Sequence, residues 1–183
     1  MFEIMIIQKL FIPIFLIITA FASNLYALEC NYGPECPDAA IKTPIEDPRN
    51  WVLQCVCNYY GPMGGDPDSL TEFFKDIDYD GKPELFIGSS HLRGNAGGKY
   101  FVFKKKEGKN YYMGSLMLDP LAFISIPMDD DEAPKMNLYW RSNVNEGYLV
   151  TVKYFKDRFI TTNKEKIYPN GKDKERYMKL FLK

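Results

Sequence analysis

Lys99-Tyr-Phe-Val-Phe-Lys-Lys105 and Tyr111-Tyr-Met-Gly-Ser-Leu-Met-Leu118 flank the polar segment Lys106-Glu107-Gly108-Lys109. Two runs of strand-forming residues around a short turn with a glycine predict a β-hairpin. Runs of the same kind lie on both sides: Glu84–Ser89 before it, and Ala122–Pro127, Met136–Ser142, Tyr148–Phe155 and Arg158–Thr162 after it. In Tyr148–Phe155 the alternation places Tyr148, Val150, Val152 and Tyr154 on one face and Leu149, Thr151, Lys153 and Phe155 on the other. The segments between the runs carry Gly, Asn, Asp and Pro. The expected fold is therefore mainly β, an antiparallel meander forming a curled sheet, a small barrel or a sandwich.

Upstream of residue 84 the pattern is less regular. Residues 28–50 are rich in Pro and acids and predict an extended arm. Arg49–Tyr60, RNWVLQCVCNYY, suits a helix or a strand, and GPMGGDPDS after it reads as a loop. Ser69-Leu-Thr-Glu72 has the form of a capping box, which predicts a short helical turn through Phe74. Lys172–Lys183 suits a short helix or a terminal strand.

Residues 10–22, LFIPIFLIITAFA, are apolar, follow Lys9, and end on Ala20-Phe21-Ala22. That order of charge, apolar run and small-x-small site predicts a secretory signal peptide over residues 1–22, with an alternative end at Ala27. A start at Met5 gives a more usual leading segment than Met1, because it omits Glu3. A spanning helix needs about 20 apolar residues, and Gln8, Lys9 and Pro13 interrupt this stretch, so no stable membrane anchor is expected after cleavage. Residues 23–68 then form an N-terminal segment and 69–183 a β-rich body, together one domain of roughly 155–160 residues. All four cysteines, Cys30, Cys36, Cys55 and Cys57, lie in the N-terminal segment. An even count in an exported chain predicts two disulfides. A bond between Cys55 and Cys57, one residue apart, is strained, so each bond should link Cys30 or Cys36 to Cys55 or Cys57.

The net charge of −1 gives no general attraction to nucleic acid. Its distribution is uneven, however. Residues 28–80 hold eleven acids against three bases, and residues 151–183 hold ten bases against four acids. Mutual docking of these two regions is the expectation, with a basic tail meeting a membrane or an acidic partner as the alternative.

The residues with the clearest chemistry are Asp76-Ile-Asp78-Tyr-Asp80-Gly81-Lys82-Pro-Glu84, a D-x-D-x-D-G-x-x-E pattern. Alternate acids on a tight loop point inward together, and Gly81 permits the turn. Carboxylates held so close repel one another without a cation. Ca²⁺ takes six to eight oxygen ligands, and Asp76, Asp78, Asp80, the Lys82 carbonyl and Glu84 are the candidate set. The loop resembles the calcium loops of FG-GAP/VCBS-type propeller blades, in which an acid at the ninth position is followed directly by an apolar strand, here Leu85-Phe-Ile-Gly88. It resembles an EF-hand less well, since the twelfth position is Ile87 and the eighth Pro83. That resemblance covers about 15 residues in one copy, so it implies the ligands and not the propeller. The stretch from Asp76 to Trp140, with DGKPELFIG, GNAGGKYFVF and YYMGSL, is similar to a group of uncharacterised exported bacterial proteins, which implies no activity.

The single histidine, His91, sits in SSHLRGNAGG, which reads as a loop between two strands. Catalytic triads need groups converging from several segments, so a structural or binding role is expected for His91. The run Asp129-Asp130-Asp131-Glu132 reads as a solvated turn. Tyr139, Trp140 and Arg141 suit either the core or an interface anchor. The sequence thus predicts an exported, disulfide-tied calcium-binding β domain that binds another protein, for instance as an inhibitor or immunity-type partner. A hydrolase using the loop around His91 is the alternative. Protein recovered from its native host should have an intact mass matching a start near Ser23 or Leu28, and a full-length product retained in the cytosol would refute the leader.

Overall fold

The computed structural model describes residues 36–126 and 134–181. The chain runs through α1 (Pro48–Tyr60), β1 (Leu70–Lys75), β2 (Glu84–Gly94), β3 (Gly97–Lys106), β4 (Lys109–Leu118), β5 (Phe123–Ile126), β6 (Lys135–Arg141), β7 (Gly147–Phe155), β8 (Arg158–Ile167) and α2 (Lys174–Phe181). The strands form two four-stranded sheets, β1-β2-β3-β4 and β5-β6-β7-β8, in sequence order. Every neighbouring pair is antiparallel. The expected meander is present as two open sheets packed on each other, not as a closed barrel.

Alternation along the strands builds the layer between the sheets. Phe86, Tyr100, Val102, Met113, Leu116 and Leu118 from the first sheet meet Phe123, Met136, Leu138, Val150 and Val152 from the second, with Ile77 from the β1–β2 loop. Tyr148 and Tyr154 pack against this layer, so the face assigned from the β7 alternation is the inward one. Phe73 of β1 stacks on Phe86 with ring centroids 4.6 Å apart. The intervening residues point outward, where each sheet is covered by a helix. Val52, Cys55 and Val56 of α1 pack on Ile87, Phe101, Phe103 and Tyr112. Phe181 of α2 packs with Tyr139, Leu149 and Ile167 on the second sheet.

Arg49–Tyr60 is thus a helix; the Asp47 side chain caps it by accepting from Asn50 N–H, and Pro48 stands at its start. The hairpin at 106–109 has a two-residue turn, Glu107 at φ 51° and Gly108 at φ 78°, the positive pair that joins twisted strands tightly. Two expectations are corrected. Ser69–Phe74 does not form a helical turn. Gly61–Gly65 and Pro67–Ser69 are short 3₁₀ turns, and Leu70–Lys75 is strand β1. The long-range pairing of Phe73 with Phe86 outweighs the local capping pattern. His91 lies within β2 rather than in a loop, because the strand continues past a bulge between Gly88 and Arg93 and turns only at Asn95-Ala96. The acidic N-terminal and basic C-terminal regions do touch, through backbone contacts: Ala39 bridges to Arg158 and Ala40 N–H donates to the Asp157 carbonyl. No ion pair joins the two regions among the described residues, where Glu146 and Glu165 hold Lys166 and Arg176 and Lys99 holds Asp38.

The arm before α1 ties the sheets together at one side. Ala39 bridges to Gly114 of β4 and to Arg158 of β8. Ile41 N–H and Ile45 N–H donate to the Tyr112 and Asn110 carbonyls. Gly114, at φ 128°, lies at a bulge where a Cβ would stand 2.9 Å from the Asp38 carbonyl oxygen, so only glycine lets the arm pass this closely. A disulfide joins Cys36 to Cys55, with Cα atoms 5.5 Å apart, and fixes the arm to α1. Cys57 is also disulfide-bonded; Cys30, the signal peptide and the 129–132 acidic run lie outside the described residues. No helix among the described residues is long and apolar enough to cross a membrane.

Phe86→Ala should cost about 3–5 kcal/mol in denaturant unfolding, since it empties the layer both sheets share. Leu121→Ala, at a side chain 82% exposed, should change stability by less than about 0.5 kcal/mol. Equal costs would contradict the assignment of the shared layer.

Candidate metal centre

β1 and β2 are adjacent antiparallel strands with Lys75 opposite Glu84, and the eight residues between them must return the chain over that short gap. Ile77 is fully buried in the layer between the sheets. Its neighbours Asp76 and Asp78 therefore turn to the other side of the loop backbone. Tyr79 at φ 59° and Gly81 at φ 80° complete the turn. The loop is also held from the second sheet: Tyr79 Oη donates to the Ser125 carbonyl at 3.0 Å, and Ser125 Oγ donates to the Asp76 carbonyl at 3.1 Å.

Asp76, Asp78 and Glu84 converge, each with a carboxylate oxygen within 4.8 Å of the others', and together they form a group that can hold a metal ion. Glu84 is completely buried at the first position of β2. Its Oε2 accepts from Ile77 N–H at 3.0 Å, while its Oε1 has no hydrogen-bond partner. Asp76 Oδ2 accepts from Gly81 N–H at 2.9 Å, and its buried Oδ1 likewise has no partner. Asp80 is less enclosed; its Oδ1 accepts from Lys82 N–H at 2.8 Å. Lys82 contributes that amide to the loop's internal bonding, and its side chain is exposed. The structure thus brings together three of the four acids expected from the sequence and places Asp80 at their rim.

A residue the sequence reading did not single out stands among them. Lys104, on β3, is only 15% exposed and its ammonium pairs with Asp78, with Asp80 Oδ2 at 2.8 Å and with Glu84 Oε1 at 3.4 Å. Burial alone would lower the Lys104 pKa, but hydrogen bonds to Asp78 and Asp80 and the charge of Glu84 raise it above its ordinary value. The Asp80 carboxyl is held below its usual range chiefly by its hydrogen bond from Lys104. Glu84 moves the other way: burial raises it, the Ile77 amide opposes that, and Asp78 adds to it. The signal for Lys104 was present in the alternation, since Tyr100 and Val102 face the inter-sheet layer and Lys104 is the next residue in that phase.

The other candidates remain apart from this cluster. His91 is half-buried, its ring centroid 6.1 Å from that of Tyr60, and no carboxylate hydrogen-bonds to its ring among the described residues. Ser89 Oγ is engaged with Ser69 Oγ at 3.1 Å and with His91 N–H. Trp140 is packed against the inter-sheet layer and donates Nε1–H to the Met117 carbonyl at 2.6 Å, which links β6 to β4. No protein-family model matches the chain, and comparison with curated proteins and with solved structures gives no match.

Tyr79→Phe, which removes only the hydroxyl that ties the loop to Ser125, should lower unfolding stability by about 0.5–1.5 kcal/mol. An unchanged denaturation midpoint would show that this hydrogen bond does not anchor the loop.

Proposed function

We propose that this chain is an exported, calcium-binding β domain that acts by binding another protein. The observation that carries the metal reading is the pair of buried carboxylate oxygens without hydrogen-bond partners, Glu84 Oε1 and Asp76 Oδ1, both in the same acidic group. Buried polar atoms without hydrogen-bond partners are rare and costly. Two anionic ones in one acidic group, of which Glu84 Oε1 has the Lys104 ammonium 3.4 Å away and Asp76 Oδ1 has none, favour a further cation. The donors are all oxygen, with no histidine or cysteine in the group, which suits a hard ion. An eight-residue loop with one left-handed glycine adapts readily to the variable coordination of Ca²⁺, whereas Mg²⁺ demands a near-ideal octahedron. By this reading Asp76, Asp78, Asp80, the Lys82 carbonyl and Glu84 supply the ligands.

Export is supported by the leader and by the disulfides, which persist in oxidising compartments where Ca²⁺ is also plentiful. Binding to another protein is supported by exposed side chains at and just past the end of α1: Tyr59 is 67% exposed with the Tyr60 ring 4.7 Å from its own, and Met63 is 76% exposed. Large apolar and aromatic side chains gathered on a surface suit an interface anchor. An inhibitor or immunity-type role is the form of binding that fits a small, rigid, exported domain.

Ca²⁺ at a hundred times its Kd should add about 2.7 kcal/mol of stability if it binds the folded state alone. EDTA should therefore lower the Tm and excess Ca²⁺ restore it. Asp78→Ala should abolish that response, and His91→Ala should keep it. A Tm indifferent to both chelator and Ca²⁺ would sink the calcium reading.

A further inference from the structure

We infer that Lys104 is a built-in counter-ion of the acidic loop, and that its ammonium competes with a metal ion for the same carboxylates. This rests on the metal reading for its meaning but not for its test. The geometry is direct. Asp78, Asp80 and Glu84, three of the candidate ligands, are the residues that Lys104 Nζ contacts. The side chain arises from β3, where Leu85 pairs with Phe103 and places Lys104 alongside Glu84. It is therefore aimed into the group by the sheet itself.

A divalent ion bound by Asp78 and Glu84 and an ammonium at 3.4 Å from Glu84 Oε1 would be like charges at close range in a partly buried site. Both cannot keep their full contacts. Four carboxylates and one ammonium leave a net charge of −3 on Asp76, Asp78, Asp80, Glu84 and Lys104. The lysine thus reduces the repulsion in the loop without removing it, and it keeps the metal-free loop folded at the cost of metal affinity. There is also somewhere for the ammonium to go. Lys104 and Asp78 line a cavity of about 480 Å³ that also reaches Tyr154 and Asp157. Asp157, on the same cavity wall, has no ion-pair partner among the described residues.

The test is calorimetric titration of Ca²⁺ into the disulfide-intact wild type and into Lys104→Met, Lys104→Gln and Lys104→Arg. Melting in EDTA reports whether each variant is folded, and the two uncharged variants guard against a misfolded one. Both uncharged variants should bind Ca²⁺ at least about tenfold more tightly than wild type, while Lys104→Arg, which keeps the charge, should stay near wild type. In EDTA the uncharged variants should melt lower than wild type, because the carboxylates lose the ammonium that pairs with them. If wild type binds no Ca²⁺ but the uncharged variants do, the counter-ion role stands and the calcium function fails. If wild type binds and the uncharged variants bind equally or more weakly, calcium binding stands and the competition is overturned. If folded uncharged variants and wild type all fail to bind, both are overturned.

Discussion

The packing of two antiparallel sheets across one apolar layer is the interaction on which the other features depend. Phe86 and Val102 from the first sheet and Leu138 and Val150 from the second are essentially removed from water there. Burial of each such side chain contributes on the order of 1.5–3 kcal/mol, and the layer fixes the pleat phase of every strand that enters it. Once Phe86 faces inward, Leu85 and Ile87 face outward and require α1 as a cover. Once Val150 faces inward, Leu149 faces outward and meets α2. The helices are thus consequences of a period of two in the strands. The acidic loop is another consequence, because Ile77 is drawn into the same layer, and the carboxylates on either side of it are turned together.

The N-terminal arm solves a problem that this arrangement creates. Two open sheets leave edge strands with unpaired backbone groups, which are liable to pair with other chains. The arm lies across β4 and touches β8 through Ala39, covering an edge of each sheet with one short segment. A segment so short has little core of its own, and the Cys36–Cys55 disulfide compensates by tying it to α1. Closing such a loop restricts the unfolded chain and stabilises by about 2–4 kcal/mol. Gly114 is the steric condition for this contact, since any Cβ there would press on the Asp38 carbonyl.

Strand-level structure was legible wherever alternation was clean. The phase of Tyr148–Phe155 and the turn at Glu107-Gly108 follow from side-chain period and turn chemistry alone. Legibility failed where local and long-range signals disagreed. Ser69-Leu-Thr-Glu72 has a helix-starting pattern, but Phe73 gains more by stacking on Phe86 than the segment gains by capping. His91 sat among Ser, Asn and Gly residues that read as a loop, and a bulge carried the strand through them. At the acidic loop the carboxylates were legible from their spacing in one segment. The alternation of β3 puts Lys104 on the inward face, but its meeting with the acids was not legible, because that depends on which strand lies beside Glu84, and pairing between strands is invisible until the register is known. Ser125 and Tyr79, which clamp the loop to the second sheet, were hidden for the same reason.

The acidic loop has three ways to lose its charge, and its geometry ranks them. A proton on Glu84 is favoured by burial, but it neutralises one carboxylate and does nothing for Asp76 Oδ1, which is buried and unpartnered on the neighbouring residue. The Lys104 ammonium has three donors; Asp78 and Asp80 receive its hydrogen bonds, and it approaches Glu84 Oε1 without a hydrogen bond. It too leaves Asp76 Oδ1 unmet. A multivalent cation accepts many oxygens at once in flexible geometry, and it is the only one of the three that can engage both orphaned oxygens together. The completely buried Glu84 is thus held by the Ile77 amide through Oε2, with the Lys104 ammonium 3.4 Å from Oε1, in a group that could hold a metal ion. That division of a single buried carboxylate between a backbone amide and a lysine ammonium is what distinguishes this loop from an acidic turn at the surface.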